Sequence, residues 1–194
     1  MSLTKNGISI SPDQSVRDIE IYAYKNNINF ITKWHNFTVT TYGAYLENLD
    51  PSLTEEDRTK VKSVAEGFME RKTRNFCFIM HMSNFEEISY LICKSENVEI
   101  ENNSSIKRFA EGWKKRTGKD LSTLKEWTIL TNAEKVRHCI LHACERLSLV
   151  KEKKRPALES IINQENLPVN SGRVEITIDY LNKVKNSIIR ILEI

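Results

Sequence analysis

The sequence contains no apolar run near the roughly 18 residues that a membrane-crossing helix needs, which points away from a membrane partner. None of its four cysteines (Cys77, Cys93, Cys139 and Cys144) belongs to a Cys-x-x-Cys pair, and all four lie inside helical patterns. With no secretory leader recognisable, they read as reduced, buried thiols of a cytoplasmic protein. The chain also lacks a charge imbalance. A net charge of +3 with 28% charged residues builds no polyelectrolyte surface, so nucleic-acid binding is permitted but not demanded. Common chemical signatures are missing too: there is no Gly-rich phosphate loop, no Gly-x-Ser-x-Gly elbow and no acidic metal cluster at recognisable spacing. No repeat, low-complexity tract or linker divides the chain. Residues 1–194 are expected to form one domain, long enough for a well-buried core.

What is present is helical periodicity. Ser11-Pro12-Asp13 reads as the cap of a helix over about residues 14–49, with an irregularity near Asn26-Asn27 and a break at Asp50-Pro51. Thr54-Glu55-Glu56-Asp57 opens a second long helix, to about residue 95, with acids at its positive end. Its stripe of Val61, Val64, Ala65 and Phe68 gives way from Phe76 to Ile92 to apolar residues almost all round, the pattern of a central helix. Residues 97–105 read as a polar loop. Ser104 or Ser105 then caps a shorter helix to about Arg116, ended by Gly118. A helical piece near 121–130 leads to a further helix near 132–147. Lys151-Glu152-Lys153-Lys154-Arg155 is a basic cluster on a connection, and Pro156 starts another helix to about Gln164.

The period then changes. Val174, Ile176 and Ile178 alternate with Glu175 and Thr177 as a short strand, with residues 167–169 as its hairpin partner across Asn170-Ser171-Gly172. A last helix from Asp179 carries Leu181, Val184, Ile188, Ile191 and Leu192. The expected fold is an all-α, single-domain helical bundle with two long antiparallel helices and a short β element near the C-terminus. Trp34, Trp113 and Trp127 are expected as core anchors.

The chemistry concentrates in Arg137-His138-Cys139-Ile140-Leu141-His142. Val136, Cys139, Ile140, Ala143, Cys144 and Leu147 recur at helical spacing and make a core face. His138, Leu141, His142 and Glu145 fall on a second stripe, with Arg137 on the flank between the two. Two histidines and a leucine are odd for a merely solvated face, so this stripe reads as a site, one that another chain could complete. His138-x-x-x-His142 has the spacing of two zinc ligands, but Cys139 stands where a zincin carries its general-base Glu, and no metal is expected. The competing reading pairs Arg137 with His142. An imidazole accepts the proton of a ribose 2′-hydroxyl, and a guanidinium fork holds a phosphate. Residues this far apart on a helix are separated by about 140°. One Arg137 and one His142 are therefore splayed, and two copies facing each other across a dimer would close the gap, with Leu141 as the apolar contact.

Arg137-His138-x-x-x-His142 resembles the R-x(4–6)-H signature of HEPN domains, in the form where a polar residue follows the arginine. HEPN proteins are all-helical and place this motif late in the chain, at the start of a helix that another helical segment precedes. Residues 130–146 look like that arrangement. Phe85-Glu86 through Leu91-Ile92-Cys93 resembles the acidic position on the family's long central helix. Residues 174–181 look like the strand-then-helix ending of several HEPN groups. The likeness covers about residues 60–194 and leaves the first long helix unassigned. Ala143 departs from the small polar or glycine residue often found after the histidine.

The resemblance implies a metal-independent endoribonuclease of the toxin, phage-defence or stress class. It would need no cofactor and would cut single-stranded RNA at a dimer-interface site, leaving 2′,3′-cyclic phosphate ends. In that picture His142 is the general base and Arg137 neutralises phosphoryl charge. His138 orients His142 or protonates the leaving oxygen, and Glu86 tethers Arg137. Lys151, Lys153 and Lys154 follow the motif closely enough to touch RNA phosphates. The implied partners are RNA, a second copy of the chain, and an antitoxin or other defence-system protein. Two alternatives stand beside it: a catalytically silent HEPN-like module that binds RNA, nucleotide or protein, and an unrelated helical interaction protein.

Each residue also has a plainer reading. A solvated helix face accounts for Arg137 and His142, and a solvated connection for the lysine run. Glu86 and Glu87 can be structural, one satisfying a buried polar partner and the other exposed. Arg74 to His81 fits the same motif spacing, but it lies on the most apolar helix, where a hydrogen-bonded core histidine is expected.

Overall fold

Helix-stopping and helix-starting residues set the layout. The computed structural model describes residues 3–5, 8–10, 16–98 and 105–193, so the expected cap at Ser11–Asp13 and most of the 97–105 loop lie outside the described residues. A small antiparallel hairpin, β1 (Leu3–Lys5) and β2 (Ile8–Ile10), pairs Leu3 with Ile10 and was not foreseen. Helix α1 (Val16–Glu47) runs unbroken through Asn26-Asn27, which corrects the irregularity expected there. Past Asp50-Pro51, Thr54 caps α2 (Glu55–Val64). Its hydroxyl accepts the Asp57 amide proton at 3.2 Å and donates to the Asp57 carboxylate at 2.7 Å.

One π-helical turn, Ala65–Met69, carries α2 straight into α3 (Glu70–Ser95). The α2–α3 rod lies antiparallel to α1. Tyr24 and Asn27 border the same crevice as Glu87 and Leu91, Trp34 meets Phe76 at 5.0 Å, and Tyr42 and Leu46 lie beside Ala65 and Met69. The two long antiparallel helices are therefore as expected.

Helix α3 is the centre of the bundle, packed against α1, α4 (Ser105–Thr117), α5 (Lys125–His142) and α7 (Ile178–Glu193). Its buried Phe78, Met82, Phe85, Ile88 and Ile92 meet the apolar faces of these neighbours. Phe109 of α4 sits among Phe85, Trp113 and Trp127, at ring distances of 4.9, 5.3 and 6.0 Å. Burying such a side chain contributes about 2–3 kcal/mol. Trp113 and Trp127 are core anchors, whereas Trp34 is only half-buried. Gly112 lets α4 approach α3 closely, because a Cβ there would meet Cys93 Sγ at 3.1 Å and Cys93 Cα at 3.3 Å.

The C-terminal third departs from expectation in three ways. First, residues 125–142 form one helix, preceded by a 3₁₀ turn at Leu121–Thr123, so there is no separate helix over 132–147. Second, α5 ends at His142. The amides of Ala143 and Glu145 both turn back to the Cys139 carbonyl, and Cys144 and Glu145 adopt left-handed backbone (φ 49° and 69°). Cys144 is consequently exposed, not a core thiol, and Glu145 is buried, not on the outward stripe with the histidines. Leu147 belongs to a 3₁₀ turn.

Third, the β element is shorter than the alternation suggests. After α6 (Arg155–Gln164), β3 (Val169–Asn170) pairs with β4 (Arg173–Val174). Val174 and Ile176 are fully buried, but Ile178 is exposed because it already begins α7.

Two successive left-handed non-glycine residues cost about 1–2 kcal/mol each. The Glu145 side chain offsets this. Only 3% exposed, it accepts hydrogen bonds from Lys72 Nζ and from Asn75 Nδ2 at 2.9 Å, with Arg71 at 3.9 Å and Arg173 at 3.8 Å. Its backbone oxygen accepts the Val174 amide at 2.9 Å. Glu145→Ala, which strands these cations, is expected to lower the urea-unfolding free energy by roughly 3 kcal/mol. Lys72→Ala should cost below about 1 kcal/mol, since that side chain is 42% exposed. Equal losses in the two variants would refute a central role for the carboxylate.

Candidate functional site

Helix α5 presents three directions. Val136, Cys139 and Ile140 face the core, as their spacing requires. Arg137, on the flank, turns toward α3. Its Nη1 donates to Glu86 Oε1 at 2.6 Å and its Nη2 to Ser83 Oγ at 3.4 Å, while Nε is buried without a partner. The first contact has the short length of a charge-assisted hydrogen bond. The structure thus brings together Arg137 and Glu86, and adds Ser83. Ser83 escaped the sequence reading, although its place one turn before Glu86 puts it on the same face of α3.

The third direction holds His138, Leu141 and His142, all exposed. The imidazoles of His138 and His142 are 4.5 Å apart between centroids and tilted by 46°. His138 also borders an open cavity of about 400 Å³ between α5 and α6, whose walls include Val150 and Leu158 and whose rim carries Lys135, Lys153 and Lys154. Two of the three sequence-predicted lysines therefore lie beside His138. Lys151, exposed on the same connection, acts on His138 through its charge. Partial burial, then the charges of Lys154, His142, Lys151 and Arg137, hold the His138 pKa below the usual histidine value. These influences favour its neutral ring.

Arg137 and His142 are not brought together within one chain. Among the described residues no hydrogen bond or ring contact joins them, as the 140° splay predicts. Arg137 is also thirteen residues into α5, counting from Lys125, and not at the start of a helix as the family arrangement has it. Glu87 is exposed. Among the described residues no group of three or more His, Cys, Asp or Glu side chains is placed to hold a metal ion, and no helix is long and apolar enough to cross a membrane. No family model, no curated protein and no solved structure matches the chain.

The other motif match has a structural role. Arg74 Nε donates to the Ile176 carbonyl at 2.8 Å, and its Nη1 to Glu70 at 3.0 Å. His81 is a core residue, 2% exposed, yet its Nδ1 has no partner, so the expected hydrogen bond is absent. Burial, and secondarily the charge of Lys185, push its pKa down to about 4. The unfolded chain, with histidine near 6.5, binds this proton more tightly than the folded one. The stability that His81 contributes is thus complete above about pH 6.5 and is lost as pH falls toward 4, by an amount on the order of 3 kcal/mol. His81→Leu is expected to flatten this acid sensitivity, so that melting temperature falls less between about pH 7 and pH 5 than in the wild type. Parallel curves for the two proteins would show that His81 does not titrate this way.

Proposed function

We propose that this chain is a HEPN-type, metal-independent endoribonuclease of the toxin, phage-defence or stress class, acting on single-stranded RNA. One observation carries the reading: an arginine held by Glu86 and Ser83 flanks an exposed pair of imidazoles, one of which, His138, borders a lysine-rimmed cavity. In this reading the His142 imidazole removes the proton from a ribose 2′-hydroxyl. The 2′-oxygen attacks the adjacent phosphorus, and the bond to the 5′-oxygen breaks as that oxygen takes a proton from water, while the protonated His142 returns its own to solvent. The products are a 2′,3′-cyclic phosphate and a 5′-hydroxyl. Arg137 offsets the charge that builds on the phosphoryl oxygens, where fixed donors matter most. His138, whose pKa its surroundings lower, suits an orienting role better than that of the acid for the leaving oxygen. Lys151, Lys153 and Lys154 supply screened, sequence-independent attraction for neighbouring phosphates.

The splay of Arg137 from His142 calls for a second copy. A two-fold dimer built on the exposed stripe around Leu141, itself 43% exposed, would set the arginine of one subunit near the histidine of the other. Light scattering at micromolar concentration should give a dimer. Leu141→Glu should give a folded monomer that no longer cleaves RNA. A wild-type monomer, or an active monomeric variant, would refute this assembly.

A catalytically silent binding module is the second reading. It is favoured by the position of Arg137 deep in α5 and by the ion pair that occupies its guanidinium. Incubating purified protein with RNA in EDTA decides between the two. Catalysis predicts chelator-resistant cleavage, slowed roughly 10²- to 10⁴-fold in His142→Ala and in Arg137→Ala, with the fold of each variant intact. RNA binding without cleavage identifies the silent module. Cleavage abolished by EDTA, or unchanged in His142→Ala, rules out the mechanism.

A further inference from the structure

We infer that the His138–His142 pair is a chelating site for a divalent transition-metal ion such as Zn²⁺, and that an ion bound there switches the RNA site off. The geometry points to it. The two rings are one helical turn apart, exposed, and 4.5 Å from centroid to centroid. A Zn–N bond is about 2.0–2.1 Å, so a tetrahedral ion needs its two nitrogens roughly 3.4 Å apart. Imidazoles this close reach that separation by rotation about χ2, which is broad and inexpensive for histidine. His142 is the last residue of α5, where carbonyls without intrahelical partners concentrate partial negative charge that favours a cation.

The opposing charges are Lys135, Lys153 and Lys154 on the cavity rim, Lys151 beyond them, and Arg137, which Glu86 offsets. The four lysines are exposed, so solvent and salt screen their repulsion. Among the described residues no third ligand is within reach of the pair, so water, or the same pair from a second copy, completes the coordination.

The consequence for the site is chemical competition. Both imidazoles coordinate through the ring lone pair, and a lone pair given to a metal cannot take a proton from a 2′-hydroxyl. Coordination only displaces metal-bound water, and no oxidation or reduction is involved. The ion is thus an inhibitor, consistent with cleavage that needs no metal. The inhibitory half rests on His142 as the base. The binding half does not.

The test uses the full-length protein and Co²⁺ as the spectroscopic probe, with Zn²⁺ calorimetry alongside. The wild type should show a Co²⁺ visible band that Zn²⁺ displaces. The band should be lost in His138→Ala and in His142→Ala, and kept in His35→Ala and Cys144→Ser. A wild type without the band, a band that survives either His138→Ala or His142→Ala, or a band lost in Cys144→Ser would overturn the site. For the switch, saturating Zn²⁺ should slow wild-type cleavage roughly 100-fold, with full recovery on chelation. Metal binding without slowing of an active protein would overturn the inhibitory half alone. If the protein proves not to cleave RNA, the spectrum and the calorimetry still decide the binding half.

Discussion

The buried carboxylate of Glu145 is the constraint on which the C-terminal half depends. Removing a carboxylate from water costs several kcal/mol, and only a nearly complete set of donors and cations offsets it. Here the donors and cations come from two separate parts of the chain, Arg71, Lys72 and Asn75 at the start of α3 and Arg173 in β4, and they converge on the turn that carries Glu145: Oε1 is hydrogen-bonded, and Oε2 has the longer arginine contacts. Since these partners are far apart in sequence, they hold Glu145 only when α3, the end of α5 and the β3–β4 hairpin are all in place. The left-handed backbone at Cys144 and Glu145 is the local strain that this arrangement supports. His142 lies three residues before the anchor, so its Cα stands on a well-determined support although its ring is exposed.

That support separates two electrostatic environments on one helix. On one flank Arg137 is matched by Glu86 and half-sheltered, so its position is defined. On the other face His138 looks onto a cavity whose rim carries Lys135, Lys153 and Lys154 beside Glu134, and the His142 ring lies one turn further on. The first side is paired and partly sheltered, the second exposed and open to solvent. The placement of Arg137 and His142 on different flanks keeps the two side chains apart within one chain.

The general architecture was legible because it rests on periodicity. Asp50-Pro51, Thr54, Gly118 and the 3.6-residue stripes are local signals, and the helices they announce are present. The antiparallel pairing of the long helices follows from the short connection between them. What could not be read was non-local. The apolar stripe from Val136 continues through Cys144 and Leu147, so periodicity extends the helix past His142. The chain stops instead because Glu145 finds Lys72 and Asn75, residues some seventy positions earlier. Ile178 keeps the strand alternation, but α7 claims it as a first turn. At the candidate site the outward stripe and the splay were visible from residue spacing alone. Ser83 and the cavity shared with α6 were not, since both depend on how helices pack.

The π-helical turn at Ala65–Met69 gives the long rod a mechanical property of its own. Such a turn accommodates one residue more than an α-helical path, and each added residue advances the helix by about 100°. Here it sits between α2, which has no buried residue, and α3, which supports the whole bundle. Losing or gaining a residue at this joint would swing α2 around the rod axis while α3, Glu86 and the Arg71–Lys72–Asn75 cluster kept their register. The joint therefore uncouples the direction of the outer arm from the register of α3, with Tyr42 and Leu46 of α1 as the contacts that hold it at its present setting.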